Sequence, residues 1–240
     1  MTKTQRFIPW FWSFGVAALA GVAWTSSVQA AVGVRSGNVI RVVDGDTVHA
    51  VDSQKNVIKI RMQGIDAPES HLITDTGSAG QLPWGPEASD SLKKLVKVGD
   101  RVEIEDFGTD KYGRTLGHIL LNGRNVNIEQ VARGQAVTYI ICDRGQCSQE
   151  KLEQLHSNEL VAACRSAQKA GLGVFDPSRP LQEMPFEFRL RMQNRVADKF
   201  VGNLATKEYY SPARYKEVPV CDRIFFMTEA DAKSLGYVRR

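Results

Sequence analysis

The chain has 240 residues, a hydrophobic fraction of 42% and a formal net charge of +4. This length predicts one domain with a smaller appendage. So small a net charge excludes binding of a polyanion through overall charge alone, and any such attraction has to come from the placement of particular basic side chains.

The N-terminal residues 1–30 predict a signal peptide. Lys3 and Arg6 precede a long apolar run, and small residues follow up to Ala30. This order is typical of a cleaved secretory leader, and the alternative is a membrane anchor, because the run is about long enough to cross a bilayer. Cleavage removes two basic and no acidic residues, which lowers the formal charge from +4 to +2. We expect a mature chain of residues 31–240 in the periplasm or secreted from a bacterium.

The mature chain begins with alternating apolar residues, which predict strands. In chain order the pattern predicts two strands within 38–52 around an Asp-Gly-Asp turn, a strand at 57–65, a helix at 86–99, strands at 101–107 and 114–121, a helix at 126–133, a strand at 136–141 and a long helix at 148–171. Five of these strands, with helices after the third and the fifth, are typical of an OB-type barrel. The predicted fold class is therefore α+β, mainly β: a five-stranded OB-fold barrel with three helices and a small C-terminal module.

A proline-rich segment, DPSRPLQEMP at residues 176–185, predicts a linker. It divides a main domain at 31–175 from a small module at 186–240. The module resembles one that is often attached to secreted bacterial proteins, through its ending FMTEADAKSLGY.

Four cysteines remain after cleavage of the leader, and in an exported protein they predict two disulfides. Cys147 and Cys164 bracket the last predicted helix and stand about 25 Å apart at the helical rise per residue, too far to bridge. Two pairings stay open: Cys142–Cys147 with Cys164–Cys221, or Cys142–Cys164 with Cys147–Cys221. We favour the first, because it closes a short loop and ties the C-terminal module to the helix.

Two carboxylates are predicted to meet at one end of the barrel. Asp46 and Asp66 lie at the ends of neighbouring predicted strands. Their repulsion favours a bound cation, and hard oxygen ligands, including the carbonyl of Ala67 and water, suit Ca²⁺. An EF-hand is excluded, because the twelfth position counted from Asp44 is Lys55 rather than a glutamate.

Two arginines and a glutamate extend this site toward phosphate chemistry. Period-two alternation places Arg61 on the face of its strand opposite the apolar residues, and Arg114 follows a DKYG turn. Two guanidiniums beside a cation can bind phosphate oxygens and stabilise the charge that develops on them. Glu69, just beyond the strand, can orient or deprotonate an attacking water. Each arginine alone could be a solvated surface residue, and the combination is what favours a site.

Five separated segments together resemble the staphylococcal nuclease (thermonuclease) family, in the same order. They are VVDGDTV, IRMQGIDAPE, GPEAS, TDKYGR and VARGQA. The resemblance covers about residues 36–172. It implies an OB-barrel phosphodiesterase that depends on Ca²⁺ and cuts DNA and RNA to leave 3′-phosphate ends.

The same resemblance assigns two groups of site residues. The metal ligands that it implies are Asp46, Asp66 and the carbonyl oxygen of Ala67. The catalytic residues, which hold the scissile phosphate or serve the attacking water, are Arg61, Arg114 and Glu69.

Substrate contacts are expected from the turn before Arg114 and from the last apolar strand. Tyr112 and Tyr139 could stack on bases, and Lys111 could contact the nucleotide end. Packing of Tyr112 and solvation of Lys111 are the alternatives. The expected partners are DNA and RNA, with no obligate protein partner, a monomeric state and no stable membrane association after cleavage.

Two other functions compete with an exported nuclease. A non-catalytic module that binds nucleic acid or protein could use the same barrel, and a structural Ca²⁺-binding protein would also explain the carboxylates. The enzyme is favoured because Asp46, Arg61, Asp66, Glu69 and Arg114 are all present. A structural Ca²⁺ site gives the two arginines no role.

Overall fold

The computed structural model describes residues 32–74, 77–143, 145 and 148–240, so the predicted signal peptide and Cys147 lie outside the described residues. In chain order the strands are β1 (Gly33–Val42), β2 (Thr47–Val51), β3 (Val57–Met62), β4 (Gly64–Asp66), β5 (Leu72–Thr74), β6 (Gly77–Ala79), β7 (Arg101–Thr109), β8 (Thr115–Leu121), β9 (Arg124–Asn125), β10 (Val137–Cys142), β11 (Phe200–Asn203), β12 (Glu208–Tyr210), β13 (Arg223–Phe226) and β14 (Val238–Arg239). The helices are α1 (Trp84–Leu95), α2 (Val126–Ala132), α3 (Gln149–Gln154), α4 (Ser157–Lys169), α5 (Pro185–Met192) and α6 (Glu229–Ser234).

Five strands close into a barrel in the order β3-β2-β1-β7-β8. Neighbours in this order are antiparallel, and β3 then pairs in parallel with β8, which joins the two edges of the sheet. Closure leaves these strands without a free edge. The predicted α+β fold class with a five-stranded OB-fold barrel is confirmed.

Strand β3 follows the predicted alternation and then bends. Ile58, Ile60 and Met62 are buried in the barrel, while Arg61 lies on the other face. The predicted strand at 57–65 is not continuous, because Gly64 takes a positive φ of 79°. That conformation favours glycine, and it turns β4 out of the barrel to pair with β10. Asp66, the last residue of β4, is thereby separated from the barrel strand that carries Arg61.

The predicted long helix at 148–171 is wrong in its continuity. It is two helices, α3 and α4, separated by Leu155 and His156. His156 has a left-handed backbone with φ of 49°, and its Nε2 lies 3.1 Å from Glu105 Oε2 on β7. A left-handed residue cannot continue an α-helix, so the chain changes direction there.

The C-terminal segment, residues 186–240, extends a second sheet that begins with β4 and β10 of the preceding residues. Its order is β14-β12-β11-β13-β10-β4, and β10 runs parallel to β13. Residues on both sides of 176–185 therefore share a sheet, and Val32–Arg240 form one compact unit. The proposed division into domain, linker and module stays a prediction.

One of the two favoured disulfides is confirmed. Cys164 on α4 is bonded to Cys221 in the C-terminal segment, with a Cα–Cα distance of 5.5 Å. The favoured companion pair, Cys142–Cys147, involves a residue outside the described part of the chain. Within the described residues, none of the helices is long and apolar enough to cross a membrane.

Candidate active site

The Asp44-Gly45-Asp46 turn between β1 and β2 is packed inside the protein and is not a solvated hairpin turn. A Cβ added to Gly45 would lie 2.6 Å from Cβ of Ala67 and 2.7 Å from Cβ of Ala88. The Gln130 amide on α2 donates to the Gly45 carbonyl at 3.0 Å. Glycine is required here because the backbone approaches two neighbours closely, and this packing fixes where the aspartates lie.

Asp46 is fastened to the segment that follows β3. Its carbonyl accepts a hydrogen bond from Met62 N–H at 2.8 Å, and its Oδ2 accepts one from Ala67 N–H at 2.8 Å. Asp46 and the backbone of Ala67 are therefore neighbours. The expectation that Asp46 and the Asp66-Ala67 segment meet at one end of the barrel agrees with this geometry.

Arg61 joins the two carboxylates. Its Nη1 lies 3.1 Å from Asp46 Oδ2, and its Nη2 lies 3.0 Å from Asp66 Oδ1. Nη1 also donates to the carbonyls of Met62 at 2.9 Å and Ile65 at 3.1 Å, across the bend between β3 and β4. The Arg61 side chain is 14% exposed and that of Asp66 is fully buried. One guanidinium thus holds the bend and both acids together.

Glu69 has a fixed backbone and a partly open side chain. Its N–H donates to Gln81 Oε1 at 3.1 Å, and its carbonyl accepts from Gln81 N–H at 2.8 Å. Gly85, in the first turn of α1, packs so closely that a Cβ there would overlap the Glu69 carbonyl. The carboxylate itself is 18% exposed. This arrangement presents the side chain to the site from a rigid support.

A third arginine, which the sequence did not reveal, enters the site from α5. Arg189 donates to both oxygens of Asp66, at 2.7 Å from Nη1 and 2.9 Å from Nη2. Its Nη1 also lies 2.8 Å from Glu69 Oε1. Arg189 lies 123 residues from Asp66 in the sequence, so no local pattern could have indicated the contact.

Burial changes the acidity of these carboxyl groups. Burial, together with repulsion from Asp46, raises the pKa of Asp44 to about 7. Burial also raises the pKa of Asp66, against the opposing effect of Arg189 and Arg61. The pKa of Glu69 is raised by burial, and Arg189 again opposes the shift. The raised pKa values indicate that the two arginines do not fully offset the cost of burying several carboxylates together.

The loop between β7 and β8 holds Arg114 at a separate position. Within the described chain, its guanidinium pairs with Asp110, with Nε 2.9 Å and Nη2 2.8 Å from Oδ2, and not with Asp46 or Asp66. Lys111 and Arg114 lie over the Tyr112 ring at 5.0 and 5.6 Å from its centroid. The structure does not bring Arg114 into the carboxylate cluster.

A cavity of about 200 Å³ lies between Arg114 and Arg189. Its walls include Tyr112 and Arg114 from the β7–β8 loop, Tyr139 from β10, and Arg189 and Lys199 from the C-terminal segment. Arg114 and Arg189 thus face one space. The predicted roles of Lys111, Tyr112 and Tyr139 stay predictions.

Residues 59–175 match the family profile described as staphylococcal nuclease homologue. These residues belong to the staphylococcal nuclease homologue family. The match begins after the Asp44-Gly45-Asp46 turn, so Asp46 is placed in the site by the geometry above.

Similar proteins carry nuclease names. The chain is 39% identical over 214 residues to endonuclease YhcR of Bacillus subtilis (strain 168), a match that covers 88% of this chain and 17% of YhcR. It is 38% identical over 104 residues to an uncharacterized endonuclease of Escherichia coli O157:H7, covering 43% of this chain and 60% of that protein. It is 30% identical over 139 residues to the probable staphylococcal-like nuclease CAN1 of Oryza sativa subsp. japonica, covering 58% of this chain and 34% of CAN1.

The YhcR match extends past the family profile. An alignment that covers 88% of 240 residues cannot end at residue 175, so it includes part of the C-terminal segment. The chain spans less than two thirds of the length of either YhcR or the E. coli relative.

The carboxylate cluster fits a divalent cation. Four carboxyl groups face two guanidiniums, so acidic groups outnumber basic ones in the cluster. All the candidate donors are hard oxygen atoms, which Ca²⁺ and Mg²⁺ prefer. The residues of this cluster are Asp44, Asp46, Asp66, Glu69, Arg61 and Arg189.

A second cluster, Glu105, His118 and His156, has ligand atoms within 4.8 Å of one another. The side chain of Asn125 donates to His118 Nδ1 at 2.8 Å, and its oxygen is fixed as the cap of α2 by the N–H groups of the first turn. The Nε2 atom of His118 therefore carries the ring hydrogen and cannot ligate a metal. Burial lowers the pKa of His118 to about 3, so we interpret it as a neutral core histidine.

Proposed function

We propose that the chain is an exported, Ca²⁺-dependent endonuclease that hydrolyses phosphodiester bonds of DNA and RNA and leaves 3′-phosphate ends. The observation that carries the proposal is the buried bridge of Arg61 between Asp46 and Asp66, with Glu69 beside it. The nuclease names of the relatives support phosphodiester hydrolysis. The cation, the export and the product ends rest on the family resemblance and on the leader-like N-terminus.

The phosphate is bound by two arginines from different parts of the fold. Arg61 lies beside the carboxylates, and Arg114 lines the cavity from the β7–β8 loop. Arg114 can leave Asp110 for a substrate, because its side chain is 31% exposed and exposed ion pairs are weak. Forked guanidinium donors suit the non-bridging oxygens and the charge that grows on them during attack.

Glu69 serves the attacking water. Its raised pKa makes the carboxylate a stronger proton acceptor than an exposed glutamate. The backbone hydrogen bonds to Gln81 keep its position fixed while the carboxylate stays partly open. A group held in this way can orient a water and take its proton.

Asp46, Asp66 and the Ala67 carbonyl would hold the cation, which supplies positive charge next to the phosphate oxygens. Asp46 and Ala67 are already joined by a hydrogen bond of 2.8 Å. Asp44 would remain behind them, since its Oδ1 accepts from Asp46 N–H at 3.0 Å and so positions that residue.

Substrate recognition and location complete the proposal. Tyr112 is 68% exposed at the mouth of the cavity and can stack on a base. Lys111 is next to it, and Tyr139 forms part of the inner wall, where it packs on Phe186 with a centroid distance of 5.9 Å. We place the mature protein in the periplasm or outside the cell, as a monomer.

The test is digestion of plasmid DNA and of RNA by oxidised, purified residues 31–240, with Ca²⁺ or with a chelator. We expect cleavage of both substrates with Ca²⁺ and none with chelator. Arg114→Ala should lower the rate by about 100-fold or more, whereas Arg124→Ala, a surface arginine paired with Glu129, should leave it unchanged. Binding of nucleic acid without any cleavage would instead identify a non-catalytic binding module.

A further inference from the structure

The C-terminal segment does more than cover the nuclease-family domain, because one of its side chains reaches the centre of the candidate site. Arg189 projects from α5 to within hydrogen-bonding distance of both Asp66 and Glu69. Those two residues are the proposed cation ligand and the proposed water-activating group. We propose that Arg189 is a third phosphate-binding residue of the nuclease and that the C-terminal segment forms one wall of the substrate cleft; this rests on the proposed function.

The orientation of Arg189 supports binding of an anion. Three of its hydrogen bonds go to Asp66 and Glu69, and a guanidinium has five N–H donors. The Tyr139 hydroxyl interacts with a fourth, which leaves one N–H group to donate to another acceptor. The side chain is 23% exposed, although its partner Asp66 is fully buried, and it lines the cavity together with Arg114.

The cavity has the composition of a nucleotide site. Besides Arg114 and Arg189, its walls carry Arg195 and Lys199, and their one acidic neighbour on the wall is Asp198. Asp198 is already paired with Arg195 at 2.7 Å and with Lys199 at 2.8 Å. The wall carries four basic side chains and this one acid, while Arg114 is paired with Asp110 and Arg189 with Asp66 and Glu69, which do not line it. Basic groups on a cavity wall can bind the backbone of a nucleic acid.

Aromatic rings complete the walls. Tyr112 stands at the exposed side, and Tyr139 lies below Arg189, whose guanidinium carbon is 5.7 Å from the ring centroid. Proteins that bind single-stranded nucleic acids combine basic groups for the phosphates with aromatic rings, because every base has a face that can stack on a ring.

Charge in the cluster favours retention of Arg189 when the cation is present. Four carboxyl groups face two guanidiniums, so a divalent cation adds positive charge that the two arginines alone do not supply. Removal of Arg189 would take away positive charge beside the phosphate, which disfavours an anionic substrate.

The test measures binding and turnover separately. A deoxynucleoside 3′,5′-bisphosphate is titrated by calorimetry into the mature protein at saturating Ca²⁺, and kcat and KM are measured on a short single-stranded DNA. We expect Arg189→Ala to weaken bisphosphate binding by about 10-fold or more, the usual effect of losing charge-assisted hydrogen bonds. The matched control is Arg191→Ala on the same helix, which is 60% exposed and pairs with Glu183; its binding should stay within about twofold.

Two further variants keep the proposal open to refutation if Arg189→Ala does not fold. Arg189→Lys keeps one charge for Asp66 but loses the forked donors, and we expect binding to be several-fold weaker. Lys199→Ala does not touch the carboxylate cluster, and it should also weaken binding. Unchanged bisphosphate binding in both of these variants would overturn the proposal.

An autoinhibitory role is distinguished by the same data. If Arg189 only obstructs the cation at Asp66, its replacement would raise the apparent Ca²⁺ affinity and leave bisphosphate affinity and KM unchanged or improved, which contradicts our proposal. Absence of cleavage by the wild-type protein would contradict the proposed function. The bisphosphate titration would still show whether Arg189 binds phosphate.

Discussion

Replacement of Arg61 by alanine is the perturbation that should affect the candidate site most. It removes two ion-pair contacts, to Asp46 and Asp66, and two hydrogen bonds to the carbonyls of Met62 and Ile65. All of these groups are buried or nearly so. We therefore expect Arg61→Ala to lower stability as well as activity.

The expected loss of stability depends on the contacts that Asp46 and Asp66 retain without Arg61. Removal of one member of a buried ion pair costs about 3–5 kcal/mol. Asp66 retains Arg189, and Asp46 retains the Ala67 N–H, so we expect the lower end, about 3 kcal/mol. Arg61→Lys keeps the charge but cannot reach both carboxylates with a forked group, and it should lose less.

The assay is equilibrium urea unfolding of the mature chain in the presence of a chelator, repeated with Ca²⁺. Ca²⁺ should stabilise Arg61→Ala more than the wild type, because the variant has lost one of the cluster's two positive charges. The surface variant Arg124→Ala serves as the control and should change the free energy of unfolding by less than about 1 kcal/mol. A loss below about 1 kcal/mol in Arg61→Ala would refute the bridging role.

Three further predictions concern the support of the site. Gly45→Ala should lower stability by about 1–3 kcal/mol, because its Cβ would lie 2.6 Å from that of Ala67; chemical unfolding measures this. Cys164→Ala with Cys221→Ala should cost about 4 kcal/mol by chain entropy, since the disulfide spans 57 residues; an unchanged melting temperature would contradict it. His118→Asn should flatten the fall of stability toward acid pH, because burial lowers the pKa of His118 to about 3; urea unfolding between about pH 7.5 and 5 measures the slope.

The buried, neutral His118 makes the folded chain less stable at acid pH. An unfolded histidine has a pKa near 6.5, so the unfolded chain binds more protons and stability falls as pH drops below about 6.5, by up to about 1.4 kcal/mol per pH unit. Asp44, with its raised pKa, contributes the opposite slope in both proteins and cancels in the comparison. Equal slopes would contradict a buried neutral His118. For Gly45 the control is Gly33→Ala, whose Cβ would meet Asp106 Cβ at 3.8 Å, an ordinary contact.

Much of the barrel could be predicted because its signals are local. Alternation in β3 buries Ile58, Ile60 and Met62 and leaves Arg61 on the opposite face. A period of two fixes which side chains share a face, whatever the rest of the chain does. The alternation therefore indicates the face on which Arg61 lies, whereas its grouping with the aspartates comes from the combination of charged residues and from the family resemblance.

The features that could not be predicted depend on long-range or competing contacts. Arg189 reaches Asp66 across 123 residues, and nothing within α5 distinguishes it from Arg191, which pairs at the surface. Arg114 was expected beside the aspartates, but Asp110, four residues earlier, offers a nearer carboxylate. The break at His156 depends on Glu105 from a distant strand. Gly64 is a local signal of the bend between β3 and β4, since a glycine within a strand often marks a bend.

Cleavage of a short DNA by Glu69→Gln under single-turnover conditions tests the catalytic assignment most directly. Glutamine keeps the size of Glu69 and can still contact Arg189, but it cannot accept a proton. We expect the rate to fall by about 100-fold or more, while the melting temperature and the Ca²⁺ affinity stay close to those of the wild type. A rate within a few-fold of the wild type would show that the carboxylate beside Asp66 does not serve the water.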